Sequence, residues 1–273
     1  MEKLTVIVPT FNEEANLPGC LESVRWADEI LVADSFSTDR TLEIARSHGA
    51  RIVQRAYGYS ASQKNWAIPQ ATHSWILLLD ADERVSPRLA AELRQLMVRG
   101  PQANGYWIYR ANHLLGRRVR RCGWGTDKVL RLFRRDLGRY EDTQVHAEIR
   151  IAPPTGRLRG RLIHHSFRSF DQYMPKLWRY ARWGAEDEWR AQRRAGLPDL
   201  LLRPPLRFLK MYVVRGGFLE GRRGLVVSYL GFAAVFLKYA RLWEKALEAP
   251  PAPACLEPPA SSTPAPSTRA SHR

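Results

Sequence analysis

Two carboxylates separated by a single residue, Asp80 and Asp82, come directly after five large apolar residues at positions 75–79. Such an apolar run is typical of a short strand that is buried on both faces. Open α/β sheets bind their ligands at the carboxyl ends of the strands. An Asp-x-Asp pair at that end offers oxygen ligands to a hard divalent cation, and the cation can hold a phosphate. A polar strand end followed by an ordinary loop has the same pattern, so the rest of the chain has to distinguish the two interpretations.

Two earlier segments repeat this arrangement of an apolar strand followed by a polar cluster. Residues 4–9 and 29–34 have the composition of strands, and a third strand is predicted at 51–54. Apolar residues at helical spacing predict helices between these strands, the first over roughly 15–27. Strands that alternate with helices over short links predict an α/β fold with a mostly parallel, doubly wound sheet.

A sheet of this kind would bring three polar clusters to one edge, namely residues 12–14, 34–39 and 80–82. The chain contains neither a G-x-G-x-x-G motif nor a G-x-x-x-x-G-K-[ST] motif. A dinucleotide fingerprint and a P-loop are therefore both excluded as devices for holding phosphate. A metal ion on Asp80 and Asp82 is the device that remains.

The net charge of +16 is unevenly distributed along the chain. Residues 1–95 carry 10 Lys and Arg against 13 Asp and Glu, whereas residues 96–248 carry 31 against 13. An excess of this size predicts an anionic partner, which could be nucleic acid, an anionic membrane or a phosphorylated substrate. Solubility alone is the weaker explanation.

The C-terminal part has a different character. Residues 225–237 are uncharged, but they number only thirteen, and a membrane-spanning helix needs about 20. Arginines and lysines flank this run on both sides. Apolar, aromatic helices with basic flanks are typical of an element that lies on an anionic membrane surface, and a buried helix packed on the sheet is the alternative. Residues 249–273 are rich in Pro, Ala and Ser, and we expect them to be disordered.

Cysteine usage bears on the compartment. The three cysteines are far apart and form no C-x-x-C pair, which argues against a disulfide framework or structural zinc and suits a reducing cytosol. The first residues run directly into a strand pattern without the apolar region of a signal peptide. We therefore expect a cytoplasmic protein that is peripheral on the inner face of the cytoplasmic membrane.

Three motifs in order, at residues 6–14, 30–39 and 79–83, resemble the signatures of inverting family 2 glycosyltransferases with the GT-A fold. The later half is similar to the lipopolysaccharide-core β-1,4-glucosyltransferases at Trp124, 131–134, 145–146, 162–166 and 221–224. The resemblance covers roughly residues 1–248. It implies a GT-A domain at 1–198 and a helical, basic, membrane-associating extension at 199–248, followed by the tail at 249–273.

The resemblance also implies which residues form the site. The donor would be a nucleoside-diphosphate sugar, with UDP-glucose as the first choice. Its base and ribose would be held by Pro9, Asn12 and Glu13. Its uracil or diphosphate side would be held by Asp34 and Asp39, and Lys64 or Gln63 could also reach the nucleotide. Asp82 would bind Mg²⁺ or Mn²⁺, and Asp80 would contribute through the ribose or the metal. His164 best fits the place of a further metal ligand, with His165 second, although paired histidines at a strand end are often structural.

Inverting transfer needs a base that deprotonates the acceptor hydroxyl. The family places a carboxylate after the strand on the acceptor side, where this chain has Val145-His146-Ala147-Glu148. Relatives have Glu directly after His, and this chain has Ala147 between them. Glu148 is the first candidate for the base and Asp142 the second, while a solvated surface acid is the alternative for either.

The predicted function is transfer of a hexose, with glucose the first choice, from a nucleoside-diphosphate sugar to a lipid-linked lipopolysaccharide-core saccharide at an anionic membrane. Transfer to polyprenyl phosphate is a second enzymatic possibility. A nucleic-acid-binding protein built on the basic half is a third. The arginines are not interleaved with a known RNA or DNA motif, and the first half is rich in carboxylates, so we expect no nucleic-acid partner.

Overall fold

The computed structural model of the chain describes residues 1–142, 148–167 and 169–248. Within these residues a nine-stranded sheet has the strand order β3-β2-β1-β4-β8-β6-β11-β5, with β7 paired to β6. A separate two-stranded sheet pairs β9 with β10. The strands are β1 Leu4–Thr10, β2 Glu29–Asp34, β3 Arg51–Gln54, β4 Trp75–Leu78, β5 Glu83–Val85, β6 Gly105–Leu114, β7 Arg117–Arg118, β8 Lys128–Arg134, β9 Arg139–Tyr140, β10 Ile149–Arg150 and β11 Thr155–Phe167.

Eight α-helices accompany the sheet in the described part of the chain. They are α1 Leu17–Glu22, α2 Thr41–Ser47, α3 Ser60–Ala67, α4 Pro87–Arg99, α5 Phe170–Arg190, α6 Leu197–Leu201, α7 Arg203–Leu209 and α8 Arg222–Glu248. A π-helical turn at Lys210–Val214 continues α7. The helix predicted over 15–27 is shorter than expected, because the chain leaves α1 in turns after residue 22.

Strand directions confirm the α/β fold and show a mixed sheet, whose β3-β2-β1-β4 half is parallel as predicted. β1 pairs in parallel with β2 and β4, and β2 pairs in parallel with β3. β8 is antiparallel to both of its neighbours, β4 and β6, so β6 and its parallel partner β11 run in the same direction as β4. The carboxyl ends of β1, β2 and β4 therefore meet at one edge of the sheet, which is where the three polar clusters were predicted to converge.

Alternation along the central strands buries both faces of this sheet. Val6 and Val8 belong to one apolar cluster together with helices α1 and α4, whereas Ile7 and Ile76 belong to a second cluster with α3 on the opposite face. A strand that is apolar at every position needs cover on both sides, and the helices supply it. The strand ends are held rigidly as a result.

The C-terminal helices form a separate layer. Helix α8 packs against α5 and α7, and Val227 joins Leu114 and Cys122 in a small cluster at the end of β6. The apolar run of thirteen residues predicted too short an element, because the helix has 27 residues. By length and composition this helix is able to cross a membrane. The main partners of α8 are thus the helices α5 and α7 rather than the strands of the sheet. The predicted disordered tail at 249–273 lies outside the described residues.

Candidate active site

The loops after β1 and β2 are held together by their own polar side chains. Asn12 has a left-handed backbone with φ of 53°. Its backbone N–H donates to Ser37 Oγ at 2.9 Å, and its Oδ1 accepts from the Thr38 backbone N–H at 2.8 Å. Glu13 donates its backbone N–H to Thr41 Oγ1 at 2.8 Å. These bonds fix the first two polar clusters relative to each other at the edge of the sheet.

Asp34 and Asp39 serve as acceptors inside these loops. Asp34 is fully buried and accepts from Thr10 Oγ1 at 3.1 Å, from Gln54 Nε2 at 3.0 Å and from both the backbone and the hydroxyl of Ser37. Asp39 accepts from the backbone N–H groups of Glu14 and Thr41, each at 3.0 Å. The structure therefore places both carboxylates in the predicted clusters, where they shape the loops. Pro9 is a half-buried residue in β1, paired in register with Ala33.

Asp80 lies at the centre of a group of cations. Lys64 Nζ is 2.8 Å from its Oδ1, Arg131 contacts its Oδ2 and Arg110 Nη2 is 3.7 Å from the same oxygen. Burial alone would raise the pKa of Asp80, but Arg131, then Lys64 and Arg110, outweigh it and hold that pKa well below its usual range. Asp80 is therefore ionised in the folded protein.

The same arginines share a second carboxylate that the motif also contains. Glu83 is fully buried, and its carboxylate accepts from Arg110 Nε at 2.7 Å and lies 3.2 Å from Arg131 Nη2. It also accepts the backbone N–H of Asp80 at 3.0 Å. Glu83 thus closes the turn that carries the Asp-x-Asp pair and balances the charge of the two arginines.

Asp82 has the contacts expected of a metal ligand. Its Oδ1 is buried and has no hydrogen-bond partner among the described residues. Its Oδ2 faces His164 Nε2 at 3.5 Å and Lys176 Nζ at 3.8 Å. Burial would raise the pKa of Asp82, but its contacts with His164 and then Lys176 leave that pKa below its usual value. A buried carboxylate oxygen without a donor is suited to a cation.

Asn112 orients the histidine toward this carboxylate. The Asn112 amide nitrogen donates to Trp124 O at 3.2 Å and Asp127 Oδ2 at 2.9 Å, so its Oδ1 faces His164 Nδ1 at 2.6 Å. With a proton on Nδ1 donated to Asn112, a neutral His164 would present its Nε2 lone pair to a cation bound between it and Asp82. Metal-binding histidines are held by such outer hydrogen bonds. His165, the second choice, has its ring centroid 5.4 Å from that of His113 and donates its backbone N–H to Asp82 O.

The described side chains bring two candidate metal ligands together, Asp82 and His164. No group of three or more His, Cys, Asp and Glu side chains converges within residues 1–142, 148–167 and 169–248. Asp82 and His164 would therefore need oxygen atoms from water or from a bound phosphate to complete an octahedral shell. A carboxylate and an imidazole together suit a cation such as Mn²⁺.

Asp80 and its three cationic partners line a cavity of about 910 Å³, whereas Asp82 and His164 are not among its lining residues. Its walls are the edge of the sheet on one side and helices α5, α7 and α8 on the other. Lys64, Asp80, Arg110, Asp127, Arg131, Glu148, Tyr173, Lys176 and Tyr180 are among the residues that line it. A cavity of this size accommodates a nucleotide-sized ligand together with part of a second substrate.

The two candidate bases are placed differently. Glu148 is exposed and lines the cavity. Asp142 accepts from the Tyr59 hydroxyl and is not among the residues that line the cavity. His146 and the inserted Ala147, on which the motif comparison depended, lie outside the described residues. The geometry thus brings Glu148, rather than Asp142, to the cavity that contains Asp80.

Several residues of the site were missed at the level of sequence. Arg131 had been noted in a motif without a role, and Arg110, Asn112 and Lys176 had not been singled out. A signal existed for Lys176, because a lysine interrupts the helical face formed by Tyr173, Leu177 and Tyr180. The other three depend on strand pairing, which local patterns do not predict.

Comparison with known proteins identifies the family. The model for glycosyl transferase family 2 matches residues 5–159. The lipopolysaccharide core biosynthesis glycosyltransferase LpsC of Rhizobium meliloti (strain 1021) is 30% identical over 256 residues, which are 87% of this chain and 93% of LpsC. An uncharacterized glycosyltransferase of Rickettsia typhi is 27% identical over 261 residues, 91% of this chain and 89% of the relative. The crystal structure of S. aureus TarS 1–349 aligns with a TM-score of 0.47 at 16% identity, over 90% of this chain and 91% of TarS. The chain belongs to glycosyl transferase family 2 and is a homologue of a lipopolysaccharide core biosynthesis glycosyltransferase.

Proposed function

We propose that this enzyme transfers a hexose from a nucleoside-diphosphate sugar to a lipopolysaccharide-core saccharide with inversion at the sugar carbon. The observation that carries the proposal is the cavity itself. It joins the Asp-x-Asp edge, through Asp80, to the exposed carboxylate of Glu148 in one space. Similarity to LpsC over most of the chain supports a lipopolysaccharide-core acceptor. Glucose is the proposed sugar and UDP-glucose the proposed donor.

Mg²⁺ or Mn²⁺ is the proposed cofactor, and Asp82 and His164 would hold it. The unpartnered Asp82 Oδ1 and the Nε2 of His164 are the atoms available for this. When bound, the cation neutralises charge on the diphosphate leaving group. Asp80 is already paired with three cations, so its role is to keep Lys64 and the two arginines in place at the edge of the site.

The reaction follows from the placement of the base. Glu148 takes the proton of an acceptor hydroxyl while that oxygen attacks C1 of the donor sugar from the face opposite the diphosphate. The new C1–O bond forms as the bond from C1 to the diphosphate oxygen breaks, and the bonding electron pair leaves with the diphosphate. The configuration at C1 is inverted because a single displacement occurs. The proton stays on Glu148 until solvent removes it.

The basic half and the C-terminal helices support a membrane-bound acceptor. Residues 200–219 contain four Lys and Arg and no Asp or Glu. Large apolar side chains of the same segment are exposed, among them Leu201, Leu206, Val214 and Leu219. An apolar surface with basic neighbours suits the boundary between anionic headgroups and acyl chains. We propose that the enzyme lies on the cytoplasmic face of the inner membrane and takes a lipid-linked saccharide there.

A combined donor and metal screen tests this function. Thermal unfolding of the enzyme is measured with a panel of nucleoside-diphosphate sugars, each with and without Mn²⁺, and sugar hydrolysis is measured under the same conditions. We expect stabilisation by one donor that depends on Mn²⁺ and is lost in Asp82→Asn. Glu43→Gln, which changes an exposed carboxylate that does not line the cavity, is the matched control and should behave as the parent enzyme. Stabilisation that is equal in Asp82→Asn and the parent would refute the metal assignment.

A further inference from the structure

Lys176 reaches the site from a part of the chain outside the family model. Helix α5 follows the matched residues 5–159, yet the Lys176 side chain lines the cavity. Its Nζ lies 3.8 Å from Asp82 Oδ2, and 35% of the side chain is exposed. Tyr173 and Tyr180 line the same cavity from the same helix. Helix α5 thus forms a wall opposite the sheet edge and directs an ammonium group at the Asp-x-Asp pair.

The hydrogen-bonding capacity of this ammonium group is unused. Lys64, for comparison, lies 2.8 Å from Asp80 Oδ1 and also contacts the face of the Tyr140 ring. No hydrogen bond from Lys176 Nζ reaches an acceptor within the described part of the chain, although an ammonium has three N–H donors. Asp82, Asp80 and Glu13 supply the negative field that faces it. Lys176 is therefore an available cation beside the proposed metal ligand.

The other cations near the pair are already committed. Arg110 and Arg131 each contact both Asp80 and Glu83. Lys238, across the cavity on α8, donates to Glu188 at 2.9 Å. A diphosphate that enters beside Asp82 would meet Lys176 as the adjacent side chain with free donors.

We propose that Lys176 binds the diphosphate of the donor and stabilises the negative charge that develops on it as the C1–O bond breaks. This inference rests on the proposed function. A lysine ammonium is a mobile point charge on a flexible stem, which suits phosphate oxygens. Before the donor binds, the ammonium group is a counter-ion of Asp82. It then donates to the diphosphate and keeps its own protons throughout the reaction, so its contribution is electrostatic.

Binding of nucleotides tests the inference without turnover. Isothermal titration calorimetry measures the affinity of UDP and of UMP for the full chain and for Lys176→Met, with and without Mn²⁺. Loss of a charge-assisted hydrogen bond predicts UDP affinity lower by about 10- to 100-fold. UMP, which lacks the second phosphate, should bind Lys176→Met within about threefold of the parent, because only screened long-range charge is lost. Lys176→Arg should recover part of the UDP affinity.

Lys3→Met is the matched control. Lys3 is exposed just before β1, at the end of that strand opposite the polar clusters, and it does not line the cavity, so this variant removes the same charge away from the site. Its UDP affinity should stay close to that of the parent. Equal UDP binding by the parent and Lys176→Met overturns the inference, and so does an equal loss in Lys3→Met. If the parent binds neither UDP nor GDP, the proposed function fails instead. Should Lys176→Met not fold, Lys176→Gln carries the same expectation.

Discussion

Glu83 provides the sharpest test of how the site is held together. Its carboxylate is fully buried and makes three contacts, with Arg110 Nε at 2.7 Å, Arg131 at 3.2 Å and the backbone N–H of Asp80 at 3.0 Å. Glu83→Gln keeps the shape and the acceptor for the backbone N–H, but it removes the charge that the two arginines share. The variant therefore isolates the electrostatic contribution.

The expected loss can be estimated from these contacts. Removing one partner of a buried ion pair costs about 3–5 kcal/mol, because the remaining charge is left uncompensated. Asp80 still pairs with both arginines in the variant, so the lower end of that range applies. We expect the free energy of unfolding to fall by about 3 kcal/mol. For a chain of this size the melting temperature would fall by roughly 6–12 °C.

Urea unfolding followed by tryptophan fluorescence measures this change. The midpoint should fall while the slope stays the same, since the surface exposed on unfolding is unchanged. Glu43→Gln breaks an exposed pair with Arg40 and is the control, for which we expect no measurable change. A loss below about 1 kcal/mol in Glu83→Gln would refute the view that this carboxylate balances the two arginines.

Four further outcomes are expected. Glu148→Gln should lower kcat by about 10²- to 10⁴-fold in a glycosyl-transfer assay, because it removes the general base. Asn112→Ala should weaken Mn²⁺ binding by about 10- to 100-fold in a metal titration, because it frees the ring of His164. The parent should lose part of its free energy of unfolding between pH 4.5 and about 2, and Glu29→Gln should lack that part; urea unfolding across this pH range measures it. Leu206→Glu should reduce binding to phosphatidylglycerol vesicles by about tenfold or more in a sedimentation assay.

The sign of the Glu29 effect follows from its contacts. Burial would raise the pKa of Glu29, but hydrogen bonds from Thr5, Thr72 and Arg51 lower it from 4.5 to about 2. A carboxylate with a depressed pKa stabilises the fold above the unfolded value, and that stability is lost as the pH falls through the folded value. If Glu29→Gln lost as much stability between pH 4.5 and about 2 as the parent does, this assignment would be contradicted.

The other variants have their own controls. Val98→Glu places the same charge on an exposed apolar residue of α4, far from the C-terminal helices, and should leave vesicle binding unchanged. Equal vesicle binding by Leu206→Glu and the parent would contradict the proposal that the C-terminal helices lie on a membrane. Full activity of Glu148→Gln would favour the polyprenyl-phosphate acceptor, because a phosphate needs little help from a base. Unchanged Mn²⁺ affinity in Asn112→Ala would argue against His164 as a ligand.

Much of the fold was predictable because it depends on local patterns. The strands at 29–34 and 51–54 coincide with the observed β2 and β3, and the apolar run before Asp80 is β4. Side-chain periodicity and chain-breaking residues act within a few positions, so they are visible in the sequence. The convergence of three polar clusters at one edge followed from the parallel sheet alone.

The length of α8 was not predictable from apolar residues alone. The uncharged run covers 225–237, whereas the helix extends over Arg222–Glu248. Charged residues such as Lys238 and Lys245 are good helix formers and continue the helix, where Glu188 and Glu186 on α5 pair with them at 2.9 Å and 2.5 Å. These pairs are tertiary contacts between helices, and no local pattern contains them.

The sequence by itself determined the family, the parallel half of the sheet and the edge at which Asp80 and Asp82 lie. The motifs and the alternation of strands and helices are properties of short segments, which is the physical reason they can be recognised without a structure. Only the tertiary structure decided how the two aspartates differ. β8 enters the sheet antiparallel beside β4 and brings Arg131 to Asp80, whereas α5 and the end of β11 leave Asp82 facing Lys176 and His164. Charges from distant segments thus neutralise one carboxylate and leave the other with a free oxygen for a ligand.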